Sequence, residues 1–213
     1  MKKIILTLTI AILTAATAVA DDKVPLKTDL PKPVTIGTPI PVGDIPHLEP
    51  KPVGNLPDFM VPVGTINLAK GKTVTSSDTN PITGTIDLVT DGDKSTDEGS
   101  WVGLGPGKQW VQIDLEKAST IYAVIVWHYH GQDRVYRDVV VQASNDPGFA
   151  GDVTTIFDNS AAGKNNPYVE DCRGKLMDAK GAKGRYVRLY SNGSTAGKMN
   201  EYIEVEVWGK PAA

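Results

Sequence analysis

The sequence predicts an all-β domain over residues 66–210, a sandwich or jelly roll, on three observations. Short runs rich in Val, Ile, Tyr and Trp recur along this part of the chain. Clusters of Gly, Asn, Asp and Pro separate them, and no segment carries a helical period. Many short strands in about 145 residues fit one domain of packed sheets rather than an alternating α/β unit.

Ahead of that domain, Met1, Lys2 and Lys3 lead into an apolar run from Ile4 to Leu13, then small residues ending in Ala18-Val19-Ala20. Residues 1–20 therefore read as a secretory signal peptide, and the product as secreted, periplasmic or held at the cell surface. The apolar run is too short to span a bilayer and no later run is longer, so no transmembrane segment is expected. Loss of Lys2 and Lys3 takes the formal net charge from −3 to −5 with no basic block, which argues against nucleic acid and anionic membranes as partners. Cys172 is the only cysteine, so no intramolecular disulfide can form, and the fold must rest on its core or on a metal. A loop thiol and a link between two chains both remain open for Cys172.

Residues 21–65 hold ten of the fifteen prolines. Each removes a backbone donor and drives its predecessor toward extended geometry, which excludes a helix or a central strand. The segment is expected to be an extended arm, either a tether or a strip lying on the domain. In the domain, QWVQIDL (109–115) alternates, with Val111, Ile113 and Leu115 on one face and Trp110, Gln112 and Asp114 on the other, so it reads as a half-exposed strand. TIYAVIVW (120–127) is apolar on both faces and reads as central. YRDVVVQAS (136–144), VTTIF (153–157), GRYVRLYS (184–191) and YIEVEVW (202–208) complete the strand set, and 211–213 form a tail.

Catalytic signatures are missing from the sequence. No Gly-x-Ser-x-Gly elbow occurs, and a nucleophile triad would have to be assembled from one cysteine and three histidines. The glycine-rich GLGPGK from Gly103 is interrupted by Pro106 and precedes a strand, so it reads as a turn rather than a phosphate loop. The acid pairs Asp97 with Glu98 and Glu204 with Glu206 read as solvated faces. The stretch DLVTDGDKST (87–96) does not have EF-hand spacing, since its glycine comes second. An irregular loop can still hold Ca²⁺, which accepts six to eight oxygens in uneven geometry, so a plain turn and a cation loop are both open here.

Six blocks in order, NLAKGKTVTSS from Asn67, DGDKST from Asp91, QWVQIDL, VVVQASNDPGF from Val139, GRYVRLYSNG from Gly184 and YIEVEVWG from Tyr202, resemble coagulation factor 5/8 type C (discoidin) domains. The likeness is greatest to the bacterial members grouped with carbohydrate-binding module family 32 and to fucose-binding lectins, galactose-binding-like folds. It covers about residues 66–209. The resemblance implies an eight-stranded antiparallel jelly roll, a structural Ca²⁺ and a lectin-like, non-catalytic role with glycan or polysaccharide as partner. Carried over by position, it implies side-chain ligands from Asp91, Thr96 and Glu204, with backbone carbonyls from Leu88, Asp93, Thr96 and Ile203. For the sugar it implies Asp97, Glu98 and Trp101 from one loop, then His128, Tyr129, His130 and Arg134 from another. Arginine can fork onto neighbouring hydroxyls, histidine directs a single hydrogen bond, and a ring packs on the apolar face of a pyranose. A cell-envelope protein, docked through the arm or a sheet face with no sugar specificity, is the competing partner. His128 and His130, two apart at a strand end, are expected on one exposed side of the rim.

Overall fold

The computed structural model describes residues 22–39 and 41–212. The leader expected over 1–20 lies outside the described residues. Among the described residues the strands, in chain order, are β1 Lys23–Pro25, β2 Met60–Pro62, β3 Ile66–Asn67, β4 Val74–Ser76, β5 Val102–Leu104, β6 Gln109–His128, β7 Val140–Ser144, β8 Thr154–Asp158, β9 Lys175–Ser191 and β10 Asn200–Pro211. A short 3-10 helix, Ile86–Thr90, stands between β4 and β5.

Eight of these strands form one antiparallel sheet in the order β3-β10-β6-β9-β7-β8, with β4 added on β6 and β5 on β10. The fold class is therefore all-β, with eight antiparallel strands, as the sequence predicts. The sheet turns over on itself because β6 and β9 are long and broken. Residues Gln109–Asp114 of β6 pair with β4 and with the C-terminal half of β9, whereas Ser119–His128 pair with β10 and with the N-terminal half of β9. The register slips between Asp114 and Ser119, where Glu116 takes a left-handed φ of 67°, and the strand bends there. QWVQIDL and TIYAVIVW, expected as two strands, are two layers of one.

Val111, Ile113, Val124, Val126, Val187, Leu189, Val205 and Val207 meet between the layers as the main core. Alternation in the first half of β6 and continuous burial in the second match the sequence pattern, and the second half has a specific cause. Its outward residues Ile125 and Trp127 join Ile203 in a separate cluster, with Leu26 of the arm packed on it. Each such burial is worth about 1.5–3 kcal/mol.

The arm is thus a strip lying on the domain. It starts and ends in the β1–β2 ribbon, pairing Lys23–Pro25 with Met60–Pro62. Between them, the Ile36 amide donates to Gly131 O, the Glu49 amide to Pro167 O, Lys175 pairs with Glu49, and Arg173 donates to Pro52 O and Gly54 O. Prolines suit this role, since they hold the chain extended and need no partner for a backbone donor.

Candidate functional site

Two groups of sequence-predicted residues converge at one end of the jelly roll. The first is the loop that leaves the 3-10 helix. Thr90 anchors it, accepting from the Gly71 amide and donating its hydroxyl to Lys72 O. Gly92, at φ 93°, then turns the chain so that its amide donates to Glu204 Oε2 at 3.1 Å. Residues 112 positions apart are joined there, in the last strand and the loop. Glu204 follows a β-bulge that leaves Ile203 without a partner in β6.

The three acids of this pocket differ in how the protein satisfies them. Asp93 accepts from the Ser95 amide and from the Ser100 hydroxyl, and these bonds hold its carboxyl below the usual range. Glu204 is fully buried, its Oε1 has no partner, and burial, with the charges of Asp91 and Glu206 beside it, pushes its pKa up to about 9. Asp91 is also raised, by burial of its carboxyl within the loop and by Asp93 and Asp87 nearby, although the residue as a whole is exposed. Asp93 is therefore complete without a cation, whereas Asp91 has the single Asp93 amide on its Oδ1 at 2.8 Å and Glu204 keeps one buried oxygen with no partner. Thr96 is buried and Leu88 half-buried on the 3-10 helix. Among the described residues no three His, Cys, Asp or Glu side chains group as a metal cage, so a cation here would depend on backbone carbonyls. That donor set fits a hard cation.

The solvated-face reading of Glu204 and Glu206 is corrected. Glu206 is buried as well and pairs with buried Lys94 at 2.6 Å, and it also accepts from Thr28 Oγ1 and Trp208 Nε1. Lys94 reaches Thr28 Oγ1 and Asp29 O in turn, and lies 4.9 Å from the Trp127 ring centroid. Its role was not legible in DGDKST, because every partner is distant in sequence.

The second group is the rim. Asp97 and Glu98 are exposed, and Trp101 and Tyr129 are half-buried with ring centroids 5.4 Å apart, edge to face. These four are surface residues. Arg134, expected as a sugar donor, is 7% exposed, lies 4.5 Å from the Tyr129 ring centroid and ion-pairs with Glu201, which also accepts from the Tyr136 hydroxyl. Its guanidinium is committed inside the protein. His128 is corrected more sharply: it is 0% exposed, its Nδ1 lies 2.7 Å from Glu170 Oε1, and it stacks on Tyr136 with centroids 4.3 Å apart. His130 is buried too, with Nε2 on Lys94 O at 3.1 Å. Neither is an exposed rim residue, because the arm and the Glu170 segment cover this end of β6. GLGPGK ends strand β5 at Leu104 and then makes the expected turn, and Asn200 Nδ2 donates to its Gly105 and Gly107 carbonyls. Arg185 pairs with Asp114. Arg188 lies against Trp110 and Phe149 and bonds Gln112.

The F5/8 type C domain model matches residues 72–205 of the chain. Among solved structures, the family 89 glycoside hydrolase from Clostridium perfringens aligns at 21% identity and TM-score 0.53, over 69% of this chain and 15% of the hydrolase. A fucolectin from striped bass (Morone saxatilis) serum aligns at 20% identity and TM-score 0.50, over 70% of this chain and 50% of that one. Chitosan-binding module 1 of a chitosanase/glucanase from Paenibacillus sp. IK-5 aligns at 22% identity and TM-score 0.48, over 68% and 99%. The chain thus spans only a small part of the hydrolase and half of the lectin. No curated protein matches the sequence.

Proposed function

The chain belongs to the F5/8 type C domain family, and on that premise we propose that it is an exported, non-catalytic glycan-binding module whose jelly roll is closed by a structural Ca²⁺. The observation that carries the binding half is the half-buried Trp101–Tyr129 ring pair, with exposed Asp97 and Glu98 shortly before Trp101 in the chain. Carboxylates accept from sugar hydroxyls, and a ring edge or face packs against the apolar side of a pyranose. Arg134 acts behind this surface, fixing the Tyr129 ring through their contact.

For the ion, Asp91 and Glu204 are the side-chain donors, with carbonyls of Leu88, Asp93, Thr96 and Ile203 and the Thr96 hydroxyl as the remaining oxygens. The cation would neutralise two carboxylates whose charge burial disfavours, one of them with an unpartnered oxygen, and so add to stability by binding the folded state alone. Glu204 carries the link, since it already ties the last strand to the loop through the Gly92 amide. No described helix is long and apolar enough to cross a membrane. Docking of a cell-envelope protein through a free arm has less support, because the arm is bound along the domain.

A glycan array probed with the full chain from residue 21 tests the reading. Binding by the wild type that is lost in Trp101→Ala, measured at a temperature where the variant is still fully folded because Trp101 also packs on the Ile125–Trp127–Ile203 cluster, is expected. Silence across neutral, acidic and amino glycans, with Ca²⁺ present, would overturn it.

A further inference from the structure

We infer, on the premise of a structural Ca²⁺ at Asp91 and Glu204, that the proline-rich arm is a strap whose hold on the domain is tightened by that ion, with Lys94 as the coupling residue. Lys94 stands between Asp91 and Asp93 on one side and Thr96 on the other, so an ion that fixes those oxygens fixes Lys94 as well. Its side chain is buried, pairs with Glu206 at 2.6 Å, and donates to Thr28 Oγ1 at 3.1 Å and Asp29 O at 3.0 Å, both in the arm. Thr28 Oγ1 in turn donates to Glu206 Oε1 at 2.9 Å, which closes a triangle of loop, last strand and arm. The Lys94 carbonyl makes a second connection. His130 Nε2 meets it at 3.1 Å, and the next residue, Gly131, accepts the Ile36 amide of the arm at 2.6 Å. Ile36 O is taken as well, by Gln132 Nε2 at 2.7 Å. Thr28, Asp29 and Ile36 lie outside the matched residues 72–205, so the family fold alone does not make this link.

The stretch between these attachments is held weakly. Leu30, Pro31 and Val34 face the loop across a cleft of about 420 Å³, and Leu30 and Val34 are about half exposed. Arm and loop are thus tied by polar groups at two points rather than packed along their length, and a segment with few apolar contacts opens at low cost. What keeps it closed is the placing of Lys94. Without an ion the loop is held by the Asp93 amide on Asp91 Oδ1 and the Gly92 amide on Glu204 Oε2. An ion adds oxygens from both sides of Lys94 to that constraint. A loop already ordered by the ion leaves less entropy to be lost when the arm docks, so the two events favour each other. The effect is mutual: a docked arm raises the affinity for the ion by the factor by which the ion tightens the arm. The two positive charges do not compete for one carboxylate, since Lys94 has Glu206 and the unpartnered oxygen belongs to Glu204.

Amide hydrogen exchange of the ¹⁵N-labelled chain from residue 21, in Ca²⁺ and in chelator, tests the coupling, with Ca²⁺ binding measured separately by calorimetry. The Ile36 amide reports on the strap, and the Asn159 amide, which donates to Val139 O next to β8, reports on the rest of the domain. Exchange at Ile36 should slow in Ca²⁺ by about tenfold or more, the scale of coupling between two sites, and at Asn159 by much less. Thr28→Val removes the arm's hydroxyl from Lys94 and from Glu206 without touching an oxygen of the ion site. It should shrink the Ile36 difference and weaken Ca²⁺ binding together. Lys94→Met combined with Glu206→Gln, which removes the buried cation and anion as a pair, should shrink the difference further. Calorimetric Ca²⁺ binding with Ile36 slowed no more than Asn159, or an Ile36 difference undiminished in both variants, would overturn the strap and leave the structural ion standing. Absence of Ca²⁺ binding would overturn both.

Discussion

Replacing Glu204 by Gln in metal-free protein is expected to stabilise the fold at neutral pH, and the size of the effect follows from where the carboxyl sits. It is fully buried in the folded chain, with a pKa pushed up to about 9 from 4.5. Below pH 4.5 both folded and unfolded states hold the proton, and nothing is lost. From 4.5 to about 9 the unfolded chain has released a proton that the folded chain keeps. Stability therefore falls by about 1.4 kcal/mol per pH unit from this group. At pH 7 the loss is on the order of 3 kcal/mol. Glutamine keeps an acceptor for the Gly92 amide and carries no charge, so it resembles the protonated acid and abolishes the loss. Urea unfolding in chelator, repeated between about pH 5 and pH 8, measures this, with the variant's curve flatter than the wild type's. In excess Ca²⁺ the order should reverse, because wild type gains the ion and the variant loses a ligand. Parallel pH profiles for the two proteins in chelator would refute the placement of Glu204 as an unsatisfied buried acid.

Three further outcomes are expected. Arg134→Ala should lower stability by about 3 kcal/mol by leaving Glu201 without its buried partner; a melting curve equal to wild type would return Arg134 to the role of ligand donor. Gly174→Ala should lose about 1–3 kcal/mol, since Gly174 has φ +69° and a Cβ there would meet Trp127 at 2.6 Å; chemical denaturation reports it. Leu26→Ala should lose about 1–2 kcal/mol and make the arm more open to proteolysis, since Leu26 packs on the Ile125–Trp127–Ile203 cluster.

Much of the fold could be read from local pattern. Alternation in 109–115 marked a strand with one face in the core, and continuous apolarity in 120–127 marked a strand covered on both sides. The first half of β9, Lys175–Ala182, escaped because its alternation is broken by Gly181 and interleaved with lysines. It is fixed by pairing with β6 and not by its own composition. At the site, exposed Asp97 and Glu98 matched expectation, whereas His128, His130 and Arg134 did not. The reason is specific: a residue at a strand end faces solvent only if nothing packs over it, and here Glu170, Glu201 and the arm do.

By itself the sequence determined an all-β chain with a proline-stiffened extension, because strand periodicity and proline stereochemistry act over a few neighbouring residues. Only the tertiary structure decided that the extension clasps the domain, that Lys94 is buried against Glu206, and that Glu204 sits unsatisfied beside the Asp91–Asp93 loop. Those facts depend on burial and on partners far along the chain, such as the 112 positions separating Gly92 from Glu204. A charged side chain's role is set by what surrounds it after folding, and no local pattern records that.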